Sequence, residues 1–279
     1  MTRATMQRMV LHTGTPDITG TFAQEPDIPA VLRRASCQLE VLIPARDEAR
    51  RLPKTLMRTV RYLEAQPYSS SVVVIDNGSV DQTSDLVART WSDRVPVHLT
   101  GCAQPGKGAA VRRGLLTSRA RFVGYMDADL ATPIETLDTV VPLLGDWQAV
   151  VGSRWIGGAV LARRQPVHRA VGGMAFRAMA RRVLPGLADT QCGFKFFAGD
   201  LARTVASRLR IDGFAFDVEL LHAITDMGVP VKEIPVVWSD AEGSTLRALR
   251  DGGRTTADLL RLARQASPFA STPAVRGEN

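Results

Sequence analysis

From residue 39 onward, short apolar runs rich in β-branched residues alternate with longer amphipathic stretches. The runs at 39–43, 72–76, 95–99, 122–126 and 149–151 read as strands, and the stretches 48–66, 81–91, 108–118 and 133–144 read as helices. This alternation predicts an α/β domain built on a mostly parallel sheet with helices on both faces. Further on, Val171, Met174, Ala175, Ala178 and Met179 recur at helical spacing. They are followed by a strand at 194–197, a helix at 218–227, an apolar run at 229–238 and a last helix at 246–264. Residues 1–36 and 267–279 carry Pro and Gly without periodicity and read as a flexible lead-in and a tail, leaving one domain at 37–266.

In open sheets of this kind ligands bind outside the carboxyl ends of the strands, so the residues just after each run are the ones to inspect. They are Pro44-Ala45-Arg46-Asp47-Glu48, Asp76-Asn77-Gly78-Ser79 and Asp127-Ala128-Asp129. Asp127 and Asp129 lie one residue apart behind an apolar strand, where both carboxylates can reach one hard divalent cation, Mg²⁺ or Mn²⁺. Such ions accept one or two carboxylates and take water and substrate phosphates as their other ligands. Gly106-Lys107-Gly108 opens a helix, which predicts a cation beside free backbone N–H groups where anions are stabilised. It is neither a GxxxxGK[ST] loop nor a dinucleotide fingerprint, since Val111 stands where the third Gly would be.

Composition narrows the partners. Apolar residues make up 45% and charged residues 23%, ordinary globular usage. Basic residues outnumber acidic ones 35 to 28, a net +7, and only Lys54, Lys107, Lys195 and Lys232 are lysines. Guanidinium groups suit phosphates. A nucleic-acid motif is absent from the sequence, so no nucleic-acid partner is expected. Residues 155–188 hold six arginines (Arg163, Arg164, Arg169, Arg177, Arg181, Arg182) and no acid, which fits either an anionic membrane surface or a solvated helix face. Three scattered cysteines, no signal peptide and no spanning segment place the expected protein in the cytoplasm, with at most peripheral membrane contact.

The runs at 41–48, 74–83, 106–108, 127–129, 152–154, 189–195 and 213–221, in this order, resemble glycosyltransferase family 2. Within it they are similar to the polyprenyl-phosphate hexosyltransferase branch, over about residues 38–265. The resemblance implies a GT-A fold with a nucleotide-binding half (37–152) and an acceptor-binding half (153–266). It implies inverting, metal-dependent transfer of a hexose from a nucleotide sugar, UDP-glucose first and GDP-mannose second, to polyprenyl or dolichyl phosphate. Pro44, Arg46, Glu48, Asp76, Asn77, Lys107 and Asp127 would bind the nucleotide sugar, and Asp127 and Asp129 would hold Mg²⁺ or Mn²⁺. Arg154, Arg169 and Lys195 would serve the acceptor phosphate. Asp189 takes the place of a catalytic carboxylate, with Asp217 and Glu219 as competitors. The chain departs from its relatives at Asn77, where many have Asp, at Ala131, where mannose synthases often have Gln, and at Thr245 after Ser244, where Lys is common. Two rivals stand: a transferase with a soluble acceptor, and a sugar nucleotidyltransferase, which normally needs a Gly-rich loop that residues 44–48 lack. The oligomeric state is left open.

Overall fold

The computed structural model describes residues 37–162, 167–239 and 248–264. The lead-in at 1–36 and the tail at 267–279 lie outside the described residues, as do Arg163, Arg164, Ser244 and Thr245. The first half of the chain folds as β1 (Leu39–Ala45), α1 (Leu52–Glu64), β2 (Ser70–Asp76), α2 (Thr83–Ala88), β3 (Val97–Gly101), α3 (Lys107–Thr117), β4 (Phe122–Met126), α4 (Leu137–Leu143) and β5 (Ala149–Ser153). The second half adds β6 (Val160–Leu161), α5 (Val167–Val183), β7 (Phe194–Ala198), α6 (Gly199–Ala206), α7 (Phe216–Asp226), β8 (Lys232–Pro235), β9 (Val237–Trp238) and α8 (Ala248–Arg264).

Seven strands form one sheet in the order β3-β2-β1-β4-β7-β5-β8, and β7 alone runs against the rest. Side chains alternate across each strand, so Val41, Ile43, Val72 and Val74 face a core with Leu52, Leu56, Leu137 and Val140 of α1 and α4. Leu42, Val73 and Ile75 face the opposite core with Ala110, Val111, Leu115, Phe216 and Leu220 of α3 and α7. Each buried Val, Leu, Ile or Phe side chain among these stabilises the fold by roughly 1.5–3 kcal/mol, which holds both helical layers on the sheet.

Three departures from the sequence expectation have local causes. Helix α1 starts at Leu52 rather than 48, because Glu48 folds back onto Arg51 and Pro53 occupies the first helical turn. The apolar run at 229–238 splits: β8 joins the main sheet, while β9 leaves it to pair with β6 as a separate two-stranded ribbon. On α5 the core-facing residues are Phe176, Met179, Ala180 and Val183, whereas Met174 and Ala178 of the expected apolar stripe are exposed. The short helix α6 has no counterpart in the sequence reading. It begins directly at the end of β7, with the Gly199 N–H donated to the Arg121 carbonyl at 2.7 Å.

The reversed strand has the greatest consequence for the site. Antiparallel pairing sets Met126 opposite Phe194, so residues 189–193, which precede β7, arrive at the carboxyl ends of β4 and β5. The segments after β1, β2, β3, β4 and β5 and the one before β7 thereby meet on one rim.

Candidate active site

At the end of β1, Asp47 adopts a left-handed conformation (φ 55°) held by the neighbouring loop. Its N–H is donated to Ser79 Oγ at 3.0 Å, and its Oδ1 accepts the Val80 N–H at 2.8 Å. The next two N–H groups follow suit: Glu48 donates to Thr83 Oγ1 at 2.9 Å and Ala49 to Asp81 Oδ2 at 3.0 Å. Ser79, Asp81 and Thr83 therefore sew the β1 loop to the β2 loop, a role the sequence pattern did not disclose. Pro44 is half-buried beneath this strap and Arg46 is exposed on it. Glu48 accepts Arg51 Nε at 2.6 Å, and burial pushes its carboxyl up despite that partner.

Asp76 stands at the end of β2 with both oxygens occupied. Oδ1 accepts the Ser79 N–H at 3.0 Å and Oδ2 accepts Ser84 Oγ at 2.7 Å. Burial works to raise this carboxyl, but the hydrogen bonds from Ser79 and Ser84 prevail and hold it below the usual carboxylate range. Asn77, expected to bind the nucleotide, turns inward instead. It is 7% exposed, and its amide is spent on the carbonyls of Cys102 and Gln104 and on the Gly106 N–H.

Lys107 begins α3 and donates to Asp127 Oδ1 at 2.6 Å. Burial opposes its charge, and the carboxylates of Asp127 and then Asp217 outweigh it, keeping the ammonium firmly protonated. Two of the N–H groups expected to be free at this helix start are taken: Gly108 and Ala109 donate to the Asp212 carbonyl at 2.8 and 3.3 Å. The cation at this end of α3 is the Lys107 ammonium, held on Asp127. Asp127 itself is positioned by its N–H to the Gly193 carbonyl at 3.1 Å, and residue 193 must lack a side chain. A Cβ there would lie 2.0 Å from Asp127 Oδ2.

Asp129 accepts the Ala131 N–H at 3.0 Å and lies 4.0 Å from Arg51 Nη1, a buried nitrogen without a hydrogen-bond partner. Burial and then the charge of Asp127 raise the Asp129 carboxyl, so an added cation would relieve the repulsion between the two. Among the described residues no third His, Cys, Asp or Glu completes a metal cluster. Two carboxylates at an open rim nevertheless fit Mg²⁺ or Mn²⁺, which complete their shell with water and phosphate oxygens. Ala131 supplies no side-chain ligand.

Across the rim the expected acceptor and catalytic groups are differently placed. Asp189 is 2% exposed, accepts Arg154 through Nε at 2.7 Å, Nη2 at 3.0 Å and the backbone N–H at 3.0 Å, and also accepts the N–H groups of Gln191 and Cys192. Burial is outweighed by these bonds, so Asp189 is held below the usual carboxylate range. Its own N–H and that of Ala188 are donated to the Glu233 carboxylate, each at 2.9 Å. Asp217 is 3% exposed and accepts Lys195 Nζ at 2.5 Å together with the Tyr125 hydroxyl. Glu219 accepts the N–H groups of Arg210 and Ile211 at 2.9 and 2.8 Å, and burial raises its carboxyl.

These contacts give each expected catalytic residue a partner within the protein. Asp189 is paired with Arg154, Asp217 with Lys195, and Glu219 accepts two N–H groups of the loop before α7. Lys195 is wholly buried, with its ammonium on Asp217 and the Cys192 carbonyl, and so cannot touch an acceptor. Of the two expected acceptor residues with described side chains, Arg154 stands at the rim, 5.5 Å from the Trp238 ring. Arg169 is on α5, but its side chain lies outside the described residues. Burial pushes the Cys192 thiol up to about 11, which leaves it protonated and unreactive beside Asp189.

A mostly parallel sheet with one reversed strand, carrying paired carboxylates and a lysine at the carboxyl rim, is a GT-A glycosyltransferase architecture. The chain belongs to glycosyl transferase family 2, whose model matches residues 40–205, and it is a glycosyltransferase. Dolichyl-phosphate beta-glucosyltransferase of Homo sapiens is 32% identical over 245 residues, covering 80% of this chain and 74% of the human protein. The protein of that name from Dictyostelium discoideum is 31% identical over 240 residues, covering 80% of this chain and 73% of its own length. Among solved structures, glucosyl-3-phosphoglycerate synthase from Mycobacterium tuberculosis in complex with Mn²⁺, UDP and glucosyl-3-phosphoglycerate superposes with a TM-score of 0.63. It shares 18% identity, with 87% of this chain and 86% of that one covered, a likeness of fold.

Proposed function

We propose that this glycosyltransferase moves glucose from UDP-glucose to a polyprenyl or dolichyl phosphate, with inversion at the anomeric carbon; GDP-mannose is the second choice of donor. The observation that carries the reading is the commitment of Asp189, Asp217 and Glu219 to structural partners. A hydroxyl acceptor needs a general base, whereas a phosphate is already ionised near neutral pH and does not. The relatives' names supply glucose and dolichyl phosphate as the substrates of those proteins, and this chain is assigned the same pair.

In this reading Asp76 and the strap at 46–48 hold the nucleotide. Lys107 faces the diphosphate, where negative charge grows as the sugar–phosphate bond breaks. Asp127 and Asp129 would hold Mg²⁺ or Mn²⁺, which when bound supplies further positive charge to the leaving diphosphate. Arg154, aimed by Asp189, binds the acceptor phosphate, which attacks from the side of the sugar opposite the diphosphate.

Peripheral association with an anionic membrane is part of the proposal. Val160, Leu161 and Val237 on the ribbon are exposed, as are Trp155 and Met174, and Arg177 lies 4.2 Å from the Trp155 ring. Arg181 and Arg182 are exposed on α5. No helix of the described residues is long and apolar enough to cross a membrane. Each basic contact with anionic lipid contributes about 1 kcal/mol. Salt-sensitive co-sedimentation with anionic but not neutral liposomes is expected, and is lost when Arg177, Arg181 and Arg182 become Gln.

The deciding experiment measures UDP or GDP release from a panel of nucleotide sugars with and without polyprenyl phosphate. Release from UDP-glucose that depends on polyprenyl phosphate is expected. Release that depends instead on a soluble hydroxyl acceptor overturns the lipid assignment.

A further inference from the structure

Resting on the reading that Lys107 faces the donor diphosphate, we propose that Asn77 is a positioning residue that sets Lys107 by clamping the segment 102–106. Asn77 is buried, 7% exposed, and its amide faces the segment 102–106. Its amide nitrogen donates to the Gln104 carbonyl at 2.7 Å and the Cys102 carbonyl at 3.3 Å, and its amide oxygen accepts the Gly106 N–H at 2.7 Å. The last of these bonds is made by the residue immediately before Lys107.

Asp212 grips the same segment from the other side. Its backbone carbonyl accepts the N–H groups of Gly108 and Ala109, and its carboxylate accepts Gln104 Nε2 and Arg112 Nη2, both at 2.7 Å. Gly106 passes between the two grips at φ 126°, and a Cβ there would stand 2.1 Å from the Asp212 carbonyl oxygen. Lys107 therefore leaves a backbone fixed on both sides, which brings its ammonium to 2.6 Å from Asp127.

The clamp has a chemical requirement that selects an amide. The site presents two carbonyls, which need a donor, and one N–H, which needs an acceptor. A primary amide meets both needs, while an ionised carboxylate is an acceptor only and would face the two carbonyl oxygens without a proton. The asparagine at position 77, where many relatives have Asp, is thus the group that fits this loop. A displacement of about 1 Å in a charge-stabilising group can cost on the order of 100-fold in rate, so a clamp this far from the substrate still acts on turnover.

The test compares wild type, Asn77→Asp, Lys107→Ala and the double variant. Asn77→Asp is expected to lower kcat by about 10- to 100-fold, with donor KM changed less than about threefold, because Lys107 keeps its charge but not its place. In the Lys107→Ala background the same substitution is expected to cost less than about twofold. Fully additive losses, or a rise in donor KM with kcat intact, would overturn the proposal. Backbone hydrogen exchange of the ligand-free protein is a second arm that requires no turnover. Protection at Gly106 and Gly108 should fall at least about tenfold in Asn77→Asp, while β2 is unchanged. Unaltered exchange in that folded variant would also overturn the proposal. Asn77→Ser, which cannot bridge all three groups, gives the same exchange readout if the aspartate variant does not fold. A wild type that turns over no nucleotide sugar would defeat the donor reading, and the exchange arm would still decide the clamp.

Discussion

The two halves of the rim use the same residue types to opposite ends. On the β1–β4 side, Asp127 is paired with Lys107 and Asp129 lies 4.0 Å from Arg51, and Asp129 remains under repulsion from Asp127. On the β5–α7 side, Asp189 and Asp217 are buried and each is matched with a cation, Arg154 and Lys195. An open, under-neutralised pair is suited to gaining a cation and a diphosphate. A buried pair with each carboxylate on its own cation instead holds Arg154 and Lys195 in place. The lesson concerns acidic residues in motifs: their partners, rather than their presence, decide whether they act on substrate.

Breaking the saturated side should produce the largest effect, on stability. Asp189→Asn leaves the Arg154 cation without its carboxylate and should cost about 3–5 kcal/mol near neutral pH, measured by denaturant unfolding. Because the folded Asp189 carboxyl lies below its ordinary value, its contribution is present above about pH 4 and is lost as the pH falls through that lowered value. The gap between wild type and variant should therefore close in acid; a gap independent of pH would refute the ion-pair account.

On the open side the effect should fall on rate with little loss of stability. Asp127→Asn is expected to reduce transfer by about 10²–10³-fold, equivalent to roughly 2.7–4 kcal/mol, with an unfolding midpoint close to wild type. Chelation by EDTA should abolish turnover of the wild type, and added Mg²⁺ or Mn²⁺ should restore it. A variant that keeps wild-type activity under those conditions would remove the metal from the site.

Arg154 joins the two sides and should give an intermediate result. Arg154→Lys keeps the charge but not the two-pronged contact with Asp189, so use of the acceptor should weaken by about 1.5–3 kcal/mol while donor KM is unchanged. A raised donor KM would move Arg154 to the nucleotide. The smallest effect is expected at Glu219→Gln, about 1 kcal/mol of stability and a change in kcat of only a few-fold. Loss of a general base would instead cost about 10²–10⁴-fold, so kinetics of this one variant sharpen the contrast between committed and available carboxylates.

Much of the donor side was legible in the linear sequence. Strands β1, β2 and β4 and the polar residues just after them are local features, and parallel pairing in register, Ala45 beside Asp76, carries those loops to one edge automatically. The run of motifs also sufficed to identify the family. The other half was not legible in the same way. Nothing local specifies that β7 runs backwards, yet that reversal delivers Asp189 to the rim, 35 residues from its partner Arg154. The Asp212 carbonyl that fills the start of α3 comes from about a hundred residues downstream, so the helix end looked free in sequence and is taken in the fold. Strand identity and loop composition follow from short-range sterics and burial, which neighbouring residues determine. Whether a carboxylate is open, paired or buried depends on which distant groups the packed chain sets against it, and for Asp127, Asp189 and Asp217 only the tertiary structure made that choice.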